Sequence, residues 1–161
     1  YPPAQAKIAY EMLRAAGVPC LISQYRYSMF DRTVEEKSLP LAAEQGSGFI
    51  AFSPLAQGLL TKKYLHGIPE HSRAARSTGF LKVDQVTEDK VGKARRLDEI
   101  AARRGQTLAE MALAWVLKDE RMTSVIVGTS SVKQLADNLH ALDNLNFTNE
   151  ELAEIEGILR L

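Results

Sequence analysis

Short apolar runs alternate with amphipathic segments along the chain. Three runs, at 20–24, 48–52 and 124–128, are too short for helices, and each is followed by polar residues. We therefore predict three buried strands, with helices before, between and after them. This alternation is typical of parallel strands connected by helices, in a sheet that is covered on both faces.

Capping residues mark where the predicted helices begin. The pattern of a hydroxyl residue followed three positions later by Glu or Gln occurs at 107–110, 131–134 and 148–151. Thr87 precedes a further helix that has acidic residues in its first turn. We also predict a helix over 34–45, in which Pro40 marks either the first turn or a break.

The segment 65–86 has no usable periodicity and is rich in Gly, Pro, Ser and Arg. Aperiodic loops of this length in compact domains are functional lids or disordered segments.

Three strands do not complete a sheet of this class. They leave two bare apolar edges, whereas a closed (β/α)8 barrel needs eight strands and about 250 residues. We therefore expect the missing strands to precede Tyr1. We also expect the chain alone to self-associate or to be poorly soluble, because exposed edges pair with one another.

Composition narrows the class of protein. The 161 residues are 45% hydrophobic and 25% charged, which is typical of a globular domain. Twenty basic residues balance twenty acidic ones, so no net charge favours nucleic acid or a membrane surface. The single cysteine, Cys20, excludes an internal disulfide and indicates a reducing compartment, so we expect a cytoplasmic protein. The three histidines lack the spacing of a metal site, and none is predicted.

Two strand ends carry residues that could bind an anion. The segment 53–58 has a hydroxyl, an amide and a glycine directly after a strand, and Lys63 follows it. From these residues alone, a phosphate site and an ordinary connecting loop are equally good interpretations. The segment 128–131 combines hydroxyls with a helix start, which favours a phosphate. Capping the helix would require only Ser131, so Thr129 and Ser130 are left for a ligand.

The segments 49–64 and 124–138 resemble the carboxyl half of aldo-keto reductases. The closest branch contains the bacterial glyceraldehyde-3-phosphate reductases and the potassium-channel β-subunits, and the match covers essentially the whole chain. The resemblance implies an α/β fold, a (β/α)8 TIM barrel, of which 1–161 is the carboxyl-terminal part, about strands 6–8. It implies NADP(H) as the cofactor and places the long loop 65–86 next to it.

The resemblance also implies roles for individual residues. Gln24, which we place at the end of its strand, matches the position that holds the nicotinamide carboxamide. Phe52 matches the aromatic that stacks on the nicotinamide, where relatives have Tyr or Trp. Many relatives carry Arg at the position of Gln134, which bears on the preference for NADPH over NADH. The other matches are Ser53, Pro54, Leu55, Gln57, Gly58 and Lys63 of the pyrophosphate turn, the belt residue Arg73, and Gly128, Ser130, Gln134, Asp137 and Asn138 at the adenosine end, where the last four are expected to share a helix face.

The family's catalytic residues, by the same resemblance, come from earlier strands and would precede Tyr1. The leading hypothesis is therefore the cofactor-binding half of an NADPH-dependent reductase of small aldehydes and ketones, inactive without its amino-terminal half. One alternative is an NADPH-binding regulatory protein of the potassium-channel β-subunit type. The other is a half-barrel that binds no ligand.

Overall fold

A computed structural model describes residues 1–70, 72, 74–75 and 80–161. The strands are β1 (Ile22–Arg26), β2 (Gly48–Phe52) and β3 (Met122–Ile126). The α-helices are α1 (Pro3–Ala15), α2 (Ser38–Glu44), α3 (Glu88–Arg103), α4 (Leu108–Leu117), α5 (Val132–Leu139) and α6 (Asn149–Arg160). Short 3₁₀ helices occupy Ala56–Gly58, Lys62–Tyr64, Val83–Gln85 and His140–Asp143. None of the described helices is both long and apolar enough to cross a bilayer.

The three strands form a parallel sheet in the order β1-β2-β3. Within the described residues each outer strand pairs with β2 alone, so the prediction of two free edges is confirmed for this part of the chain. The predicted bounds of β2 are confirmed. β1 and β3 are each displaced by two residues from their predicted positions, so Gln24 lies in the middle of β1 and not at its end.

Only one face of the sheet is well buried. Phe49 and Ala51 are fully buried, whereas Gly48, Ile50 and Phe52 on the opposite face are partly exposed. The prediction that helices cover both faces is therefore wrong for the described residues. The apolar run of β2 gave no sign of this, because an apolar side chain can occupy an uncovered face as well as a covered one.

The helix starts follow their capping residues. Thr87, Thr107 and Thr148 each accept a hydrogen bond from the third backbone N–H of their helix, as predicted. The predicted helix over 34–45 is too long, because α2 begins only at Ser38. Pro40 explains the difference, since it has no N–H and its ring would clash with a helical carbonyl four residues earlier.

Two hydrophobic clusters support the end of β2. The main core lies between the buried sheet face and the helices, and it includes Trp115. A smaller cluster consists of Leu59, Tyr64, Ala74 and Leu81. It packs directly behind the turn that follows β2, and it ties part of the long loop to that turn.

Candidate functional site

The turn that follows β2 has an unusual backbone. Ser53, Ala56 and Gln57 have φ angles of 55°, 47° and 61°, and they are the non-glycine residues of the described chain with positive φ. Such conformations cost about 1–3 kcal/mol each and cluster at ligand sites. Gly58 follows with φ of 101°, which glycine adopts without strain. The backbone of this turn therefore favours a ligand site over an ordinary connecting turn.

Hydrogen bonds hold the turn in this shape. The Gln57 amide Nε2 donates to Ser53 Oγ at 2.8 Å, and the Gly58 amide N donates to the Leu55 carbonyl at 2.9 Å. Thr61 Oγ1 donates to the Gly58 carbonyl at 2.7 Å. These hydrogen bonds hold the residues with positive φ in place without a ligand.

The second strand end lies beside the first. Ser131 Oγ accepts a hydrogen bond from the Gln134 amide N at 3.1 Å and caps α5. Gln134 Oε1 accepts from Ser130 N at 2.9 Å and from Ser130 Oγ at 3.1 Å. The predicted reciprocal capping box is therefore half formed, because the Gln134 side chain pairs with Ser130 and not with the Ser131 amide.

These two segments enclose a cavity of about 490 Å³, which we call the strand-end cavity. Its lining contains one cation, Lys63, and no carboxylate among the described residues. Lys63 forms no ion pair within the described part of the chain, whereas its neighbour Lys62 pairs with Asp98 at 3.5 Å. The cavity therefore presents hydroxyls, amides and one positive charge, which suits an anionic ligand.

The structure brings most of the predicted site residues together in this cavity. Those that line it are Ser53, Pro54, Leu55, Gln57, Gly58, Lys63, Gly128, Thr129, Ser130 and Gln134. Phe52 is half-buried at the end of β2, immediately before the cavity. Gln24 lies outside the cavity, in register with Ile50 and so on the same sheet face as Phe52. Arg73 lies outside the described residues.

The last two predicted residues do not line the cavity. Asp137 binds Lys133 Nζ through both carboxylate oxygens, at 2.9 and 2.8 Å, on the surface of α5. Asp137 therefore does not line the cavity with Ser130 and Gln134, and its predicted role at the adenosine end stays a prediction. Asn138 is 7% exposed, and within the described residues its Nδ2 is a buried side-chain nitrogen with no hydrogen-bond partner. A buried donor without an acceptor is costly, and a ligand that accepts from it would remove that cost.

Sequence reasoning missed two lining residues, Thr61 and Val127. Val127 is the residue directly after β3, and the predicted strand bounds had placed it inside the strand. Thr61 could have been found as a hydroxyl two residues before Lys63 in a glycine-containing turn. In the described chain no group of three or more His, Cys, Asp or Glu side chains is arranged as metal ligands would be.

Comparison with known proteins identifies the family that has this arrangement. The sequence model of the Aldo/keto reductase family matches residues 3–160. The chain belongs to the aldo/keto reductase family. It is 46% identical over 160 residues to an L-glyceraldehyde 3-phosphate reductase of Escherichia coli O157:H7, covering 97% of this chain and 46% of the relative. The corresponding figure for the L-glyceraldehyde 3-phosphate reductase of Escherichia coli (strain K12) is 44%, with the same coverage.

The chain thus spans about half the length of these relatives. The resemblance noted in the sequence is therefore confirmed at the level of the family.

Proposed function

We propose that this chain is the cofactor-binding part of an NADPH-dependent aldo/keto reductase that reduces small aldehydes and ketones to alcohols. The observation that carries the proposal is the strand-end cavity. Its left-handed turn, the start of α5 and Lys63, the one cation among the described lining residues, converge on one space of about 490 Å³.

The cavity residues fit a dinucleotide with phosphate groups. Lys63 and the backbone N–H groups at the start of α5 would hold phosphate oxygens, because both are donors next to a cavity whose described lining has no carboxylate. Together these donors would recognise the phosphate groups of the cofactor. Asn138 does not line the cavity, so the role at the adenosine end that the resemblance implies for it stays a prediction.

The other predicted residues would orient the reacting end. Phe52 precedes the cavity directly, so its ring would support the nicotinamide, and Gln24 lies on the same sheet face. The hydrogen bond between the side chains of Gln57 and Ser53 would keep the turn rigid beside that ring. When bound, NADPH supplies the hydride that adds to the carbonyl carbon. The proton for the carbonyl oxygen would come from a residue outside this chain.

We further propose that residues 1–161 form the carboxyl-terminal part of one (β/α)8 barrel. The one-sided burial of the sheet supports this, because the inner face of a barrel strand is covered only when the barrel closes. In this proposal the missing partner is the amino-terminal half, and the partly exposed face with Ile50 and Phe52 becomes the barrel interior.

Activity and binding measurements test the proposal together. We expect the chain of 17.8 kDa, with its mass verified, to bind NADPH weakly and to consume none when an aldehyde is added. The full-length protein should oxidise NADPH in the presence of a small aldehyde. Aldehyde-dependent consumption by the chain alone would contradict the proposal that the proton donor lies elsewhere. NADPH binding without turnover in the full-length protein would favour a regulatory role over the reductase.

A further inference from the structure

A second cavity of about 330 Å³ lies on the other side of the turn that follows β2. It shares Ser53 and Gln57 with the strand-end cavity, so one turn separates the two spaces. Its charged lining residues are Arg26, Asp31 and Lys90. Because the cofactor would fill the strand-end cavity, this second cavity, which begins at Ser53 directly after Phe52, is the space left for another molecule.

Arg26 is the last residue of β1 and lies in register with Phe52. Residues in register on parallel strands point to the same face, and the Arg26 guanidinium carbon is 5.9 Å from the centre of the Phe52 ring. That distance is at the outer limit of a cation–π contact. The guanidinium is thus beside the proposed nicotinamide support without being packed tightly against it.

Arg26 forms only a long ion pair within the described residues. Its side chain is 62% exposed, and its ion pair in the described chain is a 4.0 Å contact between Nε and Asp31 Oδ2. No hydrogen bond from the guanidinium to another described residue accompanies that contact. The other oxygen of Asp31 already accepts from Thr33 Oγ1 at 2.9 Å. Arg26 therefore keeps its planar fork of donors available to a ligand.

The remaining charges of the second cavity do not cancel this effect. Lys90 adds a second cation, whose Nζ donates to the Gln85 carbonyl at 3.3 Å. Asp31 is the one carboxylate among the described lining residues. Two cations and one anion leave a net positive space next to the reacting end of the cofactor.

We propose that Arg26 binds an anionic group of the carbonyl substrate, a phosphate or a carboxylate, and so determines the substrate class. This inference rests on the proposed function, because it requires the nicotinamide to lie on Phe52. A substrate carbonyl above the nicotinamide and a short carbon chain would bring the anionic group to the Arg26 fork. Bidentate binding of either group is the interaction for which guanidinium is best suited.

Calorimetric titration of the full-length protein saturated with NADP⁺ tests the inference without turnover. The probes are glyceraldehyde 3-phosphate, succinic semialdehyde and, as the neutral control, glyceraldehyde. Arg26→Gln should weaken binding of at least one anionic aldehyde about tenfold, because a charge-assisted pair is lost. A loss confined to one of the two identifies the group as phosphate or carboxylate. Binding of glyceraldehyde should change less than twofold.

Two further variants separate charge from shape. Arg26→Lys should recover part of the affinity, since it keeps the charge but not the fork. Asp31→Asn should strengthen binding of the same anionic aldehyde, because it removes the competing carboxylate.

Equal affinities of the wild type and Arg26→Gln for both anionic aldehydes would overturn the inference while leaving the proposed function intact. A tenfold loss of NADP⁺ affinity in Arg26→Gln would also overturn it, by placing Arg26 at the cofactor. A wild-type protein that binds no NADP⁺ would instead overturn the proposed function, and the inference with it.

Discussion

At the scale of single residues, the turn after β2 combines strain with rigidity. Gln57 has a left-handed backbone, although its long side chain gives no steric advantage there. The hydrogen bond from its side-chain amide to Ser53 Oγ offsets part of the free-energy cost of that backbone conformation. Residues of this kind persist where the surrounding structure determines them, and here the Leu59–Tyr64–Ala74–Leu81 cluster lies directly behind the turn.

Gly58 offers a direct test of the shape of the turn. Its φ is +101°, and an added Cβ would lie 3.3 Å from Tyr64 Cε2. We expect Gly58→Ala to lower the free energy of unfolding by about 1–3 kcal/mol, from backbone strain and crowding. Gly92→Ala is the matched control, because no atom lies within 4 Å of its added Cβ in the interior of α3. The control should be neutral or stabilising by up to about 1 kcal/mol. Urea unfolding measures both variants, and equal stabilities would contradict the account of the turn.

Gln134 tests the adenosine end of the proposed site. Gln134→Arg places a cation in the lining of the strand-end cavity. We expect it to tighten NADPH binding about tenfold more than NADH binding, because only NADPH carries a 2′-phosphate. Gln134→Met controls for loss of the bond to Ser130 and should weaken both dinucleotides alike. The ratio of the two dissociation constants is the measured quantity. A ratio unchanged by Arg would place the 2′-phosphate away from α5.

At the scale of secondary-structure elements, an ion pair fastens the carboxyl-terminal helix to the loop after β1. Glu156 of α6 accepts from Arg32, which also binds Glu35 at 2.8–2.9 Å. Hydrogen bonds from Arg32 and then Arg160 hold the pKa of the Glu156 carboxyl below its ordinary value of 4.5. The stabilisation is therefore present above pH 4.5 and is lost as the pH falls through the lower pKa of the folded state.

Glu156→Gln should remove this pH-dependent contribution. We expect the variant to have a lower Tm than the wild type at pH 7, and the difference to shrink as the pH falls from 5 to 3. Thermal melts followed by circular dichroism across that range measure it. Glu154→Gln, which removes the surface pair with Arg103, is the comparison and should have a smaller effect at pH 7. A constant difference between wild type and Glu156→Gln across the range would rule out ionisation of Glu156 as the cause.

The elements differ in how far the sequence predicted them. The starts of α3, α4 and α6 were predictable because capping is local, and a Thr three residues before its partner amide is sufficient. The exact bounds of β1 and β3 were not, because strand ends depend on pairing with β2. The start of α2 was also not predicted. A proline is tolerated only in the first turn of a helix, and Pro40 is the third residue of α2.

The sequence predicted site residues that can be identified by their chemical type. It did not predict those whose place in the site depends on the direction of the side chain. Lys63 and Ser130 were identified because a cation and hydroxyls at strand ends suit an anion. The resemblance placed Asp137 with them and helical spacing allowed it, but Lys133 is four residues before Asp137 and binds it on the surface. The positive φ of Ala56 had no sequence signal, since Ala rarely adopts it.

At the scale of the whole molecule, apolar side chains remain in contact with solvent in the described structure. Ile22 of β1 is 53% exposed and Ile126 of β3 is 45% exposed, each on a strand with a free edge. Met12 of α1 is 68% exposed. Free parallel edges next to apolar side chains favour association with other chains.

We therefore expect the isolated 161-residue chain to self-associate. Sedimentation velocity should show a mean mass that rises with concentration above 17.8 kDa. Replacing Ile22 and Ile126 with Thr should reduce the association, because it removes apolar contact area while keeping β-branched residues. A chain that stays monomeric at all concentrations would contradict the expectation that the free edges and the uncovered sheet face cause association.

The central claim is that the strand-end cavity binds the phosphates of NADPH, and two adjacent lysines provide the most direct test. Lys63 lines the cavity and has no ion pair in the described chain, whereas Lys62 pairs with Asp98 outside it. The measurement is the dissociation constant of NADPH, from its fluorescence, for the wild type, Lys63→Met and Lys62→Met. The account predicts that Lys63→Met weakens binding about tenfold, through loss of a charge-assisted contact, and that Lys62→Met changes it less than twofold. Equal affinities for all three proteins would contradict it.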